Sequence, residues 1–108
     1  MKTIAVIVGT IPEAVKLGPV CRELVTREST VGTRVILSGQ HHDSVAPILN
    51  LFGITAHVDL SRRIMRHGLA PMGASLLQAI AATLDCLKPD LVIVQGDTTT
   101  ALMGAMAA

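Results

Sequence analysis

Apolar residues are concentrated in three short, nearly continuous runs, at residues 3–8, 33–38 and 91–95. Each run is rich in Val, Ile and Leu, and each is followed directly by a glycine. Runs of this length are typical of strands that are covered on both faces. We therefore predict a buried strand at each run, and a short edge strand at residues 56–60.

Between the predicted strands, apolar residues recur every three or four positions, which places them on one face of a helix. The helical positions are Ala14, Leu17, Cys21 and Leu24, then Val45, Ile48, Leu49 and Phe52, and finally Leu76, Ile80, Leu84 and Leu87. Alternating strands and helices predict an α/β fold, a Rossmann-like parallel sheet flanked by helices. The 108 residues contain no evident linker or repeat, so we expect one unit of this kind.

The loops after the three predicted strands carry most of the candidate chemistry. Right-handed crossovers place the carboxyl ends of parallel strands at the same edge of a sheet. Open α/β sheets bind their ligands at that edge. The loops at residues 9–13, 39–43 and 96–100 are therefore expected to converge on one crevice.

The loop at residues 96–100, Gly-Asp-Thr-Thr-Thr, is the strongest candidate for a functional site. Gly96 permits close approach of the backbone, Asp97 would stand at the end of a strand, and Thr98 offers a hydroxyl to a ligand. The same residues suit a structural role, since Asp and Thr are common helix N-caps. A ligand-facing Asp97 and a simple N-cap at Asp97 or Thr98 are both compatible with the sequence.

The first loop predicts a helix start that could attract an anion. Thr10 and Glu13 fit a capping box, in which a glutamate follows the N-cap threonine by three residues. Helix N-termini present free N–H groups to anions, and Lys16 could add a full positive charge. A solvated surface lysine is the alternative. The loop is neither a Gly-x-Gly-x-x-Gly fingerprint nor a Walker loop, so neither nucleotide fold is specifically predicted.

Charge and composition narrow the range of partners. The net charge of +1 gives no electrostatic case for a nucleic-acid or membrane-surface partner. Positive charge is concentrated only at Arg62, Arg63 and Arg66, whose guanidinium groups could bind a phosphate or simply be solvated. No apolar run approaches the roughly 18–20 residues of a membrane span, so we expect a soluble cytoplasmic chain.

The cysteines and histidines indicate neither a disulfide nor a metal site. Cys21 and Cys86 both fall in helical patterns, which favours buried free thiols. His41 and His42 are adjacent, so their side chains diverge, and the sequence places no third ligand near them. We predict no metal, and either a hydrogen bond to a ligand or plain exposure for the histidine pair.

Three motifs together resemble one enzyme family. Residues 9–16 (Gly-Thr-Ile-Pro-Glu-Ala-Val-Lys) resemble its opening Gly-Thr-Arg-Pro-Glu-Ala loop, and Gln40 and His41 match its Gln-His pair. Residues 94–100 (Val-Gln-Gly-Asp-Thr-Thr-Thr) resemble its Val-His-Gly-Asp-Thr-Thr-Thr. On these motifs, in this order and at these spacings, the whole chain resembles the non-hydrolysing UDP-N-acetylglucosamine 2-epimerases.

The resemblance implies a glycosyltransferase-B-like enzyme with two Rossmann-like domains and an active site between them. Such enzymes interconvert UDP-N-acetylglucosamine and UDP-N-acetylmannosamine by eliminating and re-adding UDP, without a nicotinamide or metal cofactor. Residues 1–108 would form part of the N-terminal domain, and the UDP-binding C-terminal domain would be absent from this chain.

A piece of this size is expected to be inactive alone, whereas the full-length parent is expected to be a homodimer. Two alternatives remain. One is a non-catalytic module or remnant that binds a nucleotide sugar, and the other is a fragment of a glycosyltransferase-B-type transferase.

The resemblance also implies roles for individual residues. Asp97 matches an active-site aspartate, and Lys16 matches a lysine near the substrate and its diphosphate. The other matches are substrate or nucleotide contacts at Gly9, Thr10, Glu13, Gly96 and Thr98, and a possible allosteric UDP-sugar site at Gln40, His41 and Arg66. Within this set we interpret Glu13 as structural, through the capping box. Ile11 replaces the family arginine, which removes a charge-assisted phosphate contact of about 1.5–3 kcal/mol.

Overall fold

The computed structural model describes residues 1–41 and 43–108. Within those residues the chain forms β1 (Lys2–Val8), α1 (Ile11–Thr26), β2 (Val31–Leu37), α2 (Val45–Leu51), β3 (Val58–Asp59), α3 (Leu69–Leu87), β4 (Leu91–Ile93) and α4 (Thr99–Ala107). A short 3-10 turn at Ser61–Arg63 follows β3. The predicted alternation of strands and helices is confirmed.

The strands form one parallel sheet in the order β3-β2-β1-β4. Strand β1 is central, so that Val6 lies opposite Val35 on one side and Ile93 on the other. Strand β3 is a two-residue edge strand within the segment predicted for it. The Rossmann-like parallel arrangement is therefore confirmed, and it brings the carboxyl ends of β1, β2 and β4 to neighbouring positions on one edge.

Side chains on the sheet divide between two cores, because successive residues of a strand point to opposite faces. Val6 and Val8 belong to a buried cluster that includes the apolar face of α1 and part of α2. Ile7 and Ile36 belong to a second cluster that includes the buried face of α3. Burial on both faces explains why the strands read as continuous apolar runs.

Helix α3 is long and apolar in a way that the sequence analysis did not anticipate. Its 19 residues, with a mean hydropathy of 1.3, are sufficient to cross a membrane by length and composition. The expectation was based on continuous apolar runs, and it did not anticipate a helix that meets this criterion although polar residues interrupt it. In the folded chain Leu76 and Ile80 are fully buried in the core that α3 forms with the sheet.

The two cysteines lie in different environments. Cys21 is fully buried on α1, and this burial raises the pKa of its thiol to about 11. Cys86 is exposed, so the prediction that it is buried is wrong. Its neighbour two positions before, Leu84, is buried and takes the core-facing position, which leaves Cys86 on the solvent side of α3. Both thiols are free, as predicted.

Candidate functional site

The loops after β1, β2 and β4 meet at the carboxyl edge of the sheet. The Ser38 amide donates a hydrogen bond to the carbonyl of Val8 at 2.9 Å. One step further along, the His41 amide donates to the carbonyl of Gly9, also at 2.9 Å. Side chains then join both loops to the residues that follow β4. The convergence predicted from the strand order is present in the folded chain.

Glu13 links the first loop to the last. Its side chain is only 1% exposed, and its carboxylate accepts hydrogen bonds from the Gly9 amide at 2.8 Å and from the Thr10 hydroxyl at 3.0 Å. A third donor, the Thr98 hydroxyl, comes from the turn before α4 and makes a short hydrogen bond to the same carboxylate. The carboxylate therefore joins two loops that are far apart in sequence.

The predicted capping box forms only in part. Thr10 is the N-cap residue of α1, and Glu13 does reach back toward the helix start. The Thr10 hydroxyl, however, donates to Glu13 instead of accepting a backbone N–H, and Glu13 binds the amide of Gly9, one residue before the N-cap. The predicted capping-box hydrogen bonds are therefore not the ones that form. The Glu13 carboxylate is shared with a donor from another loop, the Thr98 hydroxyl.

Thr98 is the N-cap residue of α4, and Asp97 is not. The Thr98 hydroxyl accepts a hydrogen bond from the Ala101 amide at 3.1 Å. Asp97 is exposed in the preceding turn, which Gly96 opens with a φ of +84°, a conformation that favours glycine. Within the described part of the chain, the Asp97 carboxylate has no hydrogen bond or ion pair. Of the two open interpretations, the cap thus belongs to Thr98, and Asp97 is available to a ligand.

Gln40 holds the first turn of α4 from the side of β2. Its side-chain oxygen accepts from the Thr100 amide at 2.9 Å and from the Thr100 hydroxyl at 2.6 Å. The Ser38 hydroxyl lies 2.8 Å from that of Thr100, and Ser38 in turn accepts from the Gln40 amide at 3.2 Å. Because Thr100 donates to Gln40, Ser38 must be the donor to Thr100. Sequence reasoning missed Ser38, for which a serine at the end of an apolar run was the available signal, and it included Thr100 in the candidate loop without assigning it this role.

The remaining candidate residues are less connected. Lys16 is exposed on α1 and makes no ion pair within the described residues. Arg66 is partly buried and donates to two backbone carbonyls, that of Gly39 at 2.9 Å and that of Ser61 at 2.8 Å. The His41 side chain is exposed, and His42 lies outside the described residues. Arg66 therefore gives no support to a phosphate-binding role for the arginine loop, because its hydrogen bonds are made to backbone carbonyls of this chain.

Exposure separates the five residues predicted to contact the substrate or nucleotide. Gly9, Thr10 and Glu13 are buried, Thr98 is half-buried, and only Gly96 is exposed. The hydroxyls of Thr10 and Thr98 both donate to Glu13. These three side chains are therefore used inside the protein, whereas in the loop after β4 the Gly96 backbone and the Asp97 carboxylate are open to a ligand.

Comparison with known proteins agrees with the motif analysis. The UDP-N-acetylglucosamine 2-epimerase family model matches residues 23–108. The UDP-N-acetylglucosamine 2-epimerase of Neisseria meningitidis serogroup A is 35% identical over 108 residues, which is all of this chain and 28% of the relative. The enzyme of the same name from Campylobacter jejuni is 36% identical over the same length and the same shares. The chain thus spans about 28% of the length of the curated relatives it matches.

Solved structures give the same result. The Neisseria meningitidis UDP-GlcNAc 2-epimerase bound to UDP-GlcNAc has a TM-score of 0.88 and 34% identity, and the match covers 99% of this chain and 28% of that one. The S. aureus MnaA–UDP complex also has a TM-score of 0.88, with 32% identity, 99% of this chain and 28% of its own covered. The resemblance inferred from the three motifs is confirmed. This chain belongs to the UDP-N-acetylglucosamine 2-epimerase family.

Proposed function

We propose that this chain supplies one part of the active site of a UDP-N-acetylglucosamine 2-epimerase. The observation that carries the proposal is the exposed Asp97 carboxylate, which lies between a strand end and a helix start that Glu13 holds at Thr98 and Gln40 holds at Thr100. In a chain of this family, such a carboxylate at the carboxyl edge of a parallel sheet is well placed to act on a sugar nucleotide.

The chemistry requires a base that removes the C2 proton and stabilisation of the departing diphosphate. Loss of the C2 proton and cleavage of the C1–O bond to UDP give a glucal-type intermediate. Re-addition of UDP, with return of a proton to the other face of C2, gives the epimer. Asp97 is the carboxylate that we assign to this proton transfer, and Lys16 is the cation that we assign to the diphosphate. The second acid or base would come from residues outside these 108.

The proposed enzyme therefore needs a second, UDP-binding domain, and residues 1–108 form part of its N-terminal domain. The relatives are about three to four times longer than this chain, since it spans 28% of them. We expect the 108 residues to be inactive alone and the complete enzyme to be cytoplasmic.

A graft tests the catalytic proposal. Residues 1–108 replace the matching segment of the Neisseria meningitidis enzyme, and exchange of the C2 hydrogen with solvent deuterium is followed by NMR. We expect exchange in the graft and a loss of about 10²–10⁴-fold in Asp97→Asn, the usual contribution of a positioned proton-transfer group. Asp85→Asn, an exposed carboxylate on α3, is the charge-matched control and should keep full activity. A folded graft without exchange, or an Asp97→Asn graft with normal exchange, would contradict the proposal.

Binding of a nucleotide sugar is the more general part of the proposal. The non-catalytic alternative predicts the same binding. Two structural neighbours are described as complexes with UDP-GlcNAc and with UDP. Titration of the ¹⁵N-labelled chain with UDP-GlcNAc should shift amide signals in residues 9–13 and 96–100. Binding without exchange in the graft would favour a binding module, whereas shifts spread evenly over the chain would count against a site at this edge.

The allosteric UDP-sugar site at Gln40, His41 and Arg66 stays a prediction. The side-chain oxygen of Gln40 and two nitrogens of Arg66 already bond within the chain. A second ligand would therefore use the side-chain NH₂ group of Gln40, the remaining N–H groups of Arg66 and the exposed ring of His41.

We further propose that the complete enzyme is a homodimer that uses the apolar groove between α3 and α4. The groove, of about 520 Å³, is lined by Leu69, Ala70, Gly73, Ala74, Leu77, Thr99, Leu102, Met103 and Met106. Leu102 is 56% exposed, and exposed apolar surface of this kind favours association. In the graft, Leu102→Ser should shift sedimentation toward monomer, and Leu51→Ser, exposed on α2, should not. An unchanged dimer in Leu102→Ser would exclude this groove as the interface.

A further inference from the structure

Glu13 is a buried carboxylate that forms no ion pair with any described residue. It is 1% exposed, and the two ion pairs in the described part of the chain, Lys2–Asp90 and Arg27–Glu23, do not involve it. A carboxylate is costly to bury unless hydrogen bonds and local dipoles compensate its charge. Here the compensation comes from three donors and from the positive end of α1, since Glu13 lies in the first turn of that helix.

The charge of Glu13 decides the direction of the hydrogen bonds around it. An ionised carboxylate only accepts, so the Thr98 hydroxyl must point its proton at Glu13. The lone pairs of that hydroxyl are then free to accept the Ala101 amide, which is the cap of α4. The cap therefore depends on a side chain from the opposite loop, 85 residues earlier.

Thr98 directly follows Asp97, so whatever fixes Thr98 also limits where the Asp97 carboxylate can lie. We infer that Glu13 is a positioning residue, which holds the turn of Asp97 and Thr98 through the Thr98 hydroxyl without touching the substrate. The importance of this turn for catalysis rests on the proposed function, whereas the positioning itself is a property of this chain. Glu13 does this from a buried site, which distinguishes it from a direct substrate contact.

Glu13→Gln is the isosteric test. The Gly9 amide can only donate, so in this variant it keeps the single oxygen of the glutamine side chain as its acceptor. The NH₂ group of the glutamine must then face the hydroxyls of Thr10 and Thr98. The Thr98 proton is then displaced. The Thr98 hydroxyl then has to accept from this NH₂ group as well as from the Ala101 amide, so we expect hydrogen exchange at Ala101 to accelerate toward the roughly fivefold to tenfold of a lost N-cap, with shifted NMR signals at Asp97 and Thr98.

Variants at Thr10 and Thr98 separate positioning from general stabilisation. Thr10→Val removes another donor to the same carboxylate but leaves the α4 cap intact, so the Ala101 amide should exchange at its normal rate. Thr98→Val should reproduce the effect of Glu13→Gln, and Thr98→Ser, which keeps the hydroxyl, should restore normal exchange. If Glu13→Gln fails to fold, Glu13→Asp, whose carboxylate is one methylene further from Thr98, provides the same measurement.

The inference is overturned if Glu13→Gln and Thr98→Val leave the Ala101 and Asp97 signals in place. It is also overturned if they accelerate exchange equally in the central strand β1, since Glu13 would then only stabilise the fold. In the grafted enzyme Glu13→Gln should lower kcat with little change in KM, because Glu13 does not contact substrate. An inactive wild-type graft would count against the proposed function, and the exchange measurements on the chain itself would still decide the positioning role.

Discussion

Substitution of Gly9 by alanine should be among the most damaging single changes in this chain. A Cβ at position 9 would lie 2.1 Å from the hydroxyl oxygen of Thr100 and 2.3 Å from that of Ser38. Both side chains are completely buried and are joined by a 2.8 Å hydrogen bond, so neither can move aside without breaking it. The substitution therefore strains the junction of all three loops.

The expected magnitude has two sources. Forcing one methyl group into a well-packed site costs about 1–3 kcal/mol. Each hydrogen bond that breaks in the Ser38–Thr100–Gln40 chain adds about 0.5–1.5 kcal/mol. With one or two such bonds lost, we expect Gly9→Ala to lower the free energy of unfolding by about 2–5 kcal/mol.

Gly32→Ala is the matched control. Gly32 lies in β2, has no unusual φ, and a Cβ there would have Thr3 as its nearest neighbour at 3.5 Å, an ordinary contact. Because alanine restricts the unfolded chain more than glycine does, this variant should be neutral or more stable by about 0.4–1 kcal/mol. The chain has neither Trp nor Tyr, so urea unfolding should be followed by far-UV circular dichroism. Equal midpoints for the two variants would refute the steric reasoning.

Two other predictions concern titratable side chains. The Nδ1 of His57 accepts the Val35 amide at 2.9 Å, and burial, with a smaller effect of Arg34, lowers the pKa of His57 from its usual 6.5. The unfolded chain thus binds this proton more readily than the folded chain. The contribution of His57 to the free energy of unfolding should therefore be fully present above about pH 6.5 and should be lost as the pH falls through the lower folded pKa. His57→Leu should lose this component of the pH dependence, and an unaltered acid profile would contradict the assignment. For the thiols, a maleimide should label Cys86 at once and the buried Cys21 only in denaturant, and rapid labelling of both would show that α1 does not pack as described.

The fold follows from local patterns because the sheet is buried on both faces. Residues 3–8 lie within β1, where a continuous apolar run serves two cores at once. The other strands differ from their predictions by a few residues. Strand β2 begins earlier, at Val31, and β4 ends at Ile93, since its outer side has no neighbouring strand within the described residues. Pairing with the central strand, which the sequence does not show, sets these ends.

The candidate site was predictable as a location but not as a set of contacts. Strand order alone brings the three loops to one edge, and the motifs point to Asp97. The bonds that organise the edge join residues far apart in sequence, 85 positions for Glu13 and Thr98 and 60 for Gln40 and Thr100. A local rule assigned Glu13 to a capping box, and it could not foresee that one donor from a distant loop, the Thr98 hydroxyl, shares the carboxylate.

These distant contacts explain why Thr98, and not Asp97, is the N-cap residue of α4. Either residue could cap α4 by its intrinsic preference. Thr98 takes the cap because Glu13 binds its proton and thereby directs its lone pairs at the helix. An aspartate in that position would instead place a second carboxylate against Glu13, and repulsion between two like charges would oppose it. The buried glutamate thus selects threonine as the cap and leaves the neighbouring carboxylate exposed at the edge where a ligand would bind.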